Sequence, residues 1–236
     1  MKKTIAFIAA LLLLWCCNNS KQFKVTLILD NAEGQTVYLC KNIADNHDAV
    51  LDSVVISNKT AEMTVPNDDP QTLYIIKFDK NDRCRVYTFF TENQNTTITG
   101  DRDDMPHWKV KGCATMDTLM AFHEEAMKLY EEPIFYAYME MEAAGVAGDT
   151  MKVQEINERV QPLVQGYYNY QVDFIKKHSD SYLGHYMLDL MKEEIDFELV
   201  KELAAGLTNE SVYSKNIQKF IESGGASTRR MCCPAE

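Results

Sequence analysis

The chain has 236 residues, 46% of them hydrophobic, with 24 basic against 35 acidic side chains and a net charge of −11. A surface this acidic repels phosphate backbones and anionic headgroups, which excludes nucleic-acid binding or membrane attachment through a basic patch. The apolar content suffices for the core of one or two domains.

At the N-terminus, Lys2 and Lys3 precede the apolar run Ile5–Leu14, which Trp15, Cys16 and Cys17 follow. Ten apolar residues fall short of the roughly 20 needed to cross a bilayer, so residues 1–16 read as a cleaved secretory signal. Lipidation at Cys17 sets Leu14 at −3 and the small Cys16 at −1; lipidation at Cys16 would set Trp15 there instead. Loss of residues 1–16 leaves 22 basic against 35 acidic side chains, or −13, so an acyl chain is the expected membrane anchor. Residues 17–22 form a short polar tether.

From Phe23 to Lys111 the hydrophobic period is two. Phe23–Asp30, Thr36–Cys40, Val50–Ser57, Thr60–Val65, Leu73–Asp79, Arg83–Phe90, Thr96–Gly100 and Trp108–Lys111 read as strands. The links between them are short and polar, which predicts antiparallel hairpins closing into a sandwich or small barrel over residues 23–112. Cys40 and Cys84 lie within this region and Cys113 directly follows it. An odd number gives no complete disulfide framework, and the three read as small buried hydrophobes of strands.

After Gly112 the period becomes helical. Thr115–Glu132 aligns Leu119, Phe122, Ala126 and Leu129, Pro133 interrupts it, and Ile134–Ala144 reads as a second helix before Gly145 and Gly148. Asp149 is placed to cap a third helix, with a seam of Val153, Ile156, Val160, Leu163, Tyr167, Tyr170 and Phe174 that runs past Pro162. Tyr182–Met191, Phe197–Ala205 and Ser211–Ile221 complete a helical segment over residues 113–222. Residues 223–236 carry no apolar period and read as a disordered tail. The fold class is therefore α+β: an N-terminal antiparallel β sandwich or barrel-like domain of about eight strands, then an all-α segment.

No stretch declares a reaction. His123-Glu124-Glu125-Ala126-Met127 opens like a zincin helix, but Met127 stands where the second histidine must be. His47, His107, His178 and His185 are scattered without ligand spacing, so no metal and no cofactor is expected. Glu131, Glu132, Glu140 and Glu142 read as a solvated acidic face rather than an acid/base pair. His178-Ser179-Asp180-Ser181 contains triad letters but reads as a helix end followed by an N-cap. After Cys17, Cys232-Cys233 is the only adjacent thiol pair, and adjacency is the wrong spacing for dithiol exchange. No catalytic residue is assigned. Asp52-Ser53-Val54, Asp117-Thr118-Leu119 and Asp149-Thr150-Met151 share an Asp-(Ser/Thr)-apolar pattern. It resembles the O-glycosylation acceptor signal of exported proteins in Bacteroides-type bacteria, with Ser53, Thr118 and Thr150 as acceptors.

Several segments follow a familiar course. Val50-Leu51-Asp52-Ser53-Val54, Leu73-Tyr74-Ile75-Ile76, Phe89-Phe90-Thr91-Glu92-Asn93 with Thr97-Ile98-Thr99, and Val110-Lys111-Gly112 occur in that order. They resemble the β-rich domain of unknown function found N-terminal to the thioredoxin-like domain in lipid-anchored envelope proteins of Bacteroides-type bacteria. Phe174-Ile175-Lys176-Lys177-His178-Ser179-Asp180-Ser181 is similar to the F-I-x-x-H-P-D-S junction of the helical segment that follows it. The resemblance covers residues 23–222. Asn58-Lys59 departs from the usual glycine-containing hairpin, and no Trp-Cys-X-X-Cys occurs, so no residue inherits thiol-disulfide chemistry.

The expectation is a non-catalytic cell-envelope lipoprotein: a binding or spacer module associated with thioredoxin-like exchange systems. Its partners are the membrane, through the lipid on Cys17, and a thioredoxin-like protein or a second copy of itself. One alternative is a truncated thiol-disulfide oxidoreductase lacking its catalytic domain. Another is a small-ligand or glycan-binding lipoprotein, which requires Tyr74, Tyr87, Phe89 and Trp108 to line an exposed cleft.

Overall fold

The computed structural model describes residues 22–43, 47–70, 72–82, 84–207 and 211–225. The signal segment 1–16, Cys17 and the tail beyond residue 225, with Cys232 and Cys233, lie outside the described residues. The chain divides into two compact units between Cys113 and Ala114. The architecture is α+β, with eight strands followed by helices among the described residues.

The first unit holds β1 (Gln22–Asp30), β2 (Thr36–Ile43), β3 (His47–Val55), β4 (Thr60–Pro66), β5 (Tyr74–Lys77), β6 (Tyr87–Phe89), β7 (Thr96–Asp101) and β8 (Lys109–Lys111). They form two four-stranded sheets, ordered β4-β1-β7-β8 and β3-β2-β5-β6. In β1, the period-two sequence puts Phe23, Val25, Leu27 and Leu29 wholly inside. The sheets face one another: Phe23 of β1 meets Tyr74 of β5 edge-on at 5.7 Å, and Tyr74 packs on Phe89 at 5.9 Å.

One pairing corrects the antiparallel expectation. β1 and β7 run parallel, whereas the other strand pairs are antiparallel. Hairpins follow from short links, but a pairing between strands separated by a whole second sheet is set by the tertiary core. The Asn58-Lys59 turn shows how the chain manages without glycine. Both residues take positive φ, 51° and 64°, and Ser57 and Thr60 exchange backbone hydrogen bonds at 3.0 Å across them. This is the primed turn that matches strand twist. The Glu33 carboxylate accepts from both turn amides, at 3.2 and 3.0 Å.

Trp108 closes one end of this core. Its ring packs on Tyr87 at 5.0 Å and Phe78 at 6.3 Å, and its Nε1 donates to the Asp101 carbonyl at 2.6 Å. Gly100 makes the room, because a Cβ there would overlap the indole.

The second unit holds α1 (Ala114–Ala126), a π-helical turn (Met127–Glu131), α2 (Glu132–Val146), α3 (Thr150–Lys177), α4 (Tyr182–Met191), α5 (Phe197–Ala205) and α6 (Val212–Glu222). Pro133 was expected to separate two helices, yet the chain stays helical through it. Proline lacks an N–H and crowds the carbonyl four residues back; the wider π turn just upstream absorbs that conflict. Pro162 likewise lies inside the continuous 28-residue α3. The caps are conventional. Asp149, Ser181, Asp196 and Ser211 each accept a backbone N–H from the first turn of the helix they precede. Beyond α6, Gly224 and Gly225 take φ of 70° and 83°, and their amides donate to the Ile221 and Phe220 carbonyls, both at 3.0 Å, closing the helix.

The two halves of α3 pack differently. Its N-terminal half lays Val153, Ile156 and Val160 against Ala137, Met141 and Ala144 of α2. Its C-terminal half carries Tyr167, Tyr170 and Phe174 into an aromatic ladder with Tyr130 and Phe122. The Phe122–Tyr170 centroids lie 5.0 Å apart and those of Phe122–Phe174 4.3 Å apart. Gly166 admits the Tyr130 ring, which a Cβ would crowd at 2.9 Å. Among the described residues, no helix is long and apolar enough to cross a membrane.

Candidate functional site

The side chains that carry chemistry are mostly consumed by the fold. In the β unit, Lys77 is buried in β5 and pairs with Asp48, and both influence the Cys40 thiol. Burial pushes that thiol above its ordinary range, with Lys77 pulling the other way, so Cys40 is a packed thiol rather than a thiolate nucleophile. Cys113 is buried as well. Cys84 departs from that reading: it is disulfide-bonded and lies exposed in a bend, outside any strand, because Arg83–Phe90 is extended only over its last residues.

In the helical unit, the contact that looks most catalytic is His185 Nδ1 to Ser211 Oγ, at 2.9 Å. Both residues are buried, and the second ring nitrogen of His185 donates to the Ser179 carbonyl at 3.3 Å. Ser211 Oγ also accepts the Ser214 N–H at 2.9 Å as the N-cap of α6. The pair therefore ties α4 to the start of α6. Burial holds the His185 imidazole below its usual 6.5.

The glutamates do not converge. Glu131 accepts the Tyr167 hydroxyl, Glu140 pairs with Lys152 and Arg159, and Glu132 and Glu142 stand exposed on α2. His123, Glu124 and Glu125 lie exposed on α1, and Glu125 accepts the Tyr170 hydroxyl at 2.8 Å. His178 stacks on Phe174 at 4.4 Å, and Ser181 caps α4, as a helix junction requires. Among the described residues, no group of three or more His, Cys, Asp and Glu is placed to hold a metal.

The aromatic cleft required by the ligand-binding alternative is not assembled. Tyr74, Phe89 and Trp108 are buried in the sandwich. Tyr87 touches an open cavity of about 300 Å³ that Arg85, Arg102, Met105 and Pro106 also line. The Arg102 guanidinium there is already engaged by Gln35 at 2.6 Å, Asp103 at 2.7 Å and the Phe78 ring at 5.3 Å. Of the expected acceptors, Ser53 is exposed on β3 and Thr150 is exposed at the start of α3. Thr118 is half-buried, and its hydroxyl donates to the Ala114 carbonyl at 3.0 Å.

What remains is a surface that the motif reading passed over. α2 is apolar nearly all round, as its sequence Glu-Pro-Ile-Phe-Tyr-Ala-Tyr-Met-Glu-Met-Glu-Ala-Ala-Gly-Val shows. Ala137, Met141 and Ala144 turn toward α3, where the two alanines permit close approach. The outer face keeps Phe135 at 59% exposure, Tyr136 at 67%, Met139 at 52% and Val146 at 87%. Across the turn, Met151 of α3 is 84% exposed. Exposed apolar side chains are ordinary singly, but a run of large ones along one helix face marks an interaction surface. The signal in sequence was a helix with two apolar faces and only one partner helix to cover them.

Residues 23–119 match a family model described as a domain of unknown function (DUF4369). The match spans β1 to β8 and the first turns of α1. No curated protein and no solved structure matches the chain.

Proposed function

We propose that this chain, which carries the DUF4369 domain over residues 23–119, is a cell-envelope lipoprotein that acts as a non-catalytic binding module. The outer face of α2 carries this reading: four large apolar side chains stand in solvent there, while His185, Cys40, Glu131 and Glu140 are engaged in packing, hydrogen bonds and ion pairs. The envelope location rests on Lys2, Lys3, the apolar run Ile5–Leu14 and Cys17. The partner class that the family resemblance implies is a thioredoxin-like thiol-disulfide protein. On this reading the lipid on Cys17 holds the chain at the membrane, and the two units present that partner to its substrates or space it from the bilayer. Ser53, Thr118 and Thr150 are the proposed glycan acceptors, with exposure favouring Ser53 and Thr150.

Radiolabelled palmitate incorporated by the wild-type chain and lost in Cys17→Ser, together with its release from the membrane fraction, tests the anchor. Insulin reduction by the purified chain tests the non-catalytic assignment, and turnover above the uncatalysed rate overturns it. Intact-mass shifts that disappear in Ser53→Ala or Thr150→Ala identify the acceptors.

A further inference from the structure

We infer that the outer edge of β3 is an interface between two copies of this chain, which pair their β3 strands antiparallel about Ser53. The inference goes beyond the binding-module reading, whose partner is a different protein, and does not depend on it. β3 ends the order β3-β2-β5-β6, so among the described residues it has a neighbouring strand on one side only. The other sheet-ending strands are blunted. β6 and β8 have three residues each, β8 carries Lys109 and Lys111, and β4 ends on Pro66. β3 has nine residues and no lysine, arginine or proline. It exposes Val50, Leu51 at 43% and Val55 at 55%.

The ladder fixes which backbone groups point outward. The Ile56 amide donates to the Gln35 carbonyl and the Ile56 carbonyl accepts from the Gly34 amide, both at 2.9 Å. Residues of an antiparallel strand bond to a given neighbour alternately. Val54 and Asp52 therefore continue this contact with Val37 and Leu39, while the amides and carbonyls of Ser53 and Val55 point away from β2. The Ser53 amide accordingly donates to the Asp52 carboxylate, at 2.7 Å.

Centred on Ser53, the edge supplies its own complement. Ser53 meets its counterpart, and the two exchange amide-to-carbonyl hydrogen bonds. Leu51, which the bulge at Leu39/Cys40 leaves without a partner on β2, comes opposite Val55, and this apolar pair occurs twice. Asp52 comes opposite Val54, and Asp48 lies outside the paired residues, so no carboxylate faces another. The Asp52 carboxylate must release the Ser53 amide as the strands meet, which makes it the latch on this edge. A glycan on Ser53 would stand on the two-fold axis and keep the copies apart.

The test is sedimentation of the full-length chain, unglycosylated and carrying Cys17→Ser so that no acyl group drives association, over about 1–100 μM. A monomer–dimer equilibrium is expected, with amide exchange at Ser53 and Val55 slowing as the dimer accumulates. Ser53→Pro removes the outward amide and leaves the β2 ladder whole; Leu51→Lys/Val55→Lys sets lysines opposite one another. Each should weaken dimerisation by about tenfold with circular dichroism unchanged. Asp52→Ala should strengthen it. A chain that stays monomeric throughout that range, or a dimer that both variants leave intact, overturns the inference. So does weaker pairing in Asp52→Ala, or a dimer abolished by Phe135→Ser/Met139→Ser, which moves the contact to α2. None of these outcomes touches the non-catalytic assignment, which insulin turnover tests by itself.

Discussion

The two units solve the burial problem in opposite ways. In the β unit, two sheets turn their apolar faces toward each other, and Phe23, Leu27, Leu29, Leu39, Ile76, Phe89 and Ile98 are all sealed. The apolar side chains left outside it, Ile28, Val50, Leu51 and Val55, sit on strands at or beside the sheet edges. In the helical unit, α2 has one apolar face against α3 and a second against nothing among the described residues. A closed sandwich spends its sheet faces on each other and leaves only residues at or beside its edges outside, whereas a helical hairpin with a second greasy face offers that whole face to a partner. The family match follows the same line, covering the sealed unit and ending within α1.

The sharpest way to break this contrast is to overpack each unit at a glycine that has no room. Gly100→Ala drives a Cβ into the Trp108 ring, and Gly184→Ala drives one into the His178 carbonyl. Each should cost about 3 kcal/mol in urea unfolding, the first read by Trp108 fluorescence and the second by far-ultraviolet ellipticity. A smaller loss, about 1–2 kcal/mol, is expected for Ser211→Ala, which removes both the α6 cap and the partner of the buried His185.

Acid should separate the units without mutation. His185 and His178 are held below their usual 6.5, both chiefly by burial. Groups with depressed folded values contribute stability that is complete above the unfolded value and lost as pH falls toward the folded one. The helical unit should therefore begin to loosen below about pH 6.5, seen as faster amide exchange in α4 and α6. In the β unit, Asp68 is lowered from 3.8, mainly by its hydrogen bond from Lys41, and Asp82 by the Arg85 and Cys84 backbone amides. Their contribution is complete above that value and fades only in stronger acid. Simultaneous loss of both units between pH 6 and 5 would contradict this ordering. The smallest effect is expected on the outer face of α2. Phe135→Ser and Met139→Ser should each change stability by less than about 0.5 kcal/mol, as exposed sites do. A larger change would mean that the chain itself covers this face.

The sandwich was legible because alternation in segments such as Phe23–Asp30 leaves one physical solution: an apolar face that must find another. The parallel pairing of β1 with β7 was not, since neither strand carries a mark of its neighbour. The first half of the α3 seam read correctly at Ile156 and Val160. The second half followed Tyr167, Tyr170 and Phe174, which stack half-buried, whereas Val172 and Ile175 are the buried side chains there. Aromatic rings with polar or exposed edges kept the period visible and hid a rotation of the packed face. The α2 surface escaped motif reading for a different reason. Docking needs no diagnostic residue, only more apolar faces than the fold can cover.

The π turn at Met127–Glu131 fixes the azimuth of everything after it. Each residue of an α-helix advances the winding by about 100°, and a π turn carries one residue more than its α counterpart. Deleting a single residue there would turn the π turn into an α turn and leave Phe135, Met139 and Val146 on the face they now occupy, whereas a deletion in the regular helix beyond it would turn the residues that follow by roughly that angle. This five-residue stretch is thus an expansion joint, able to give up one residue of slack without re-aiming the sticky side of the arm.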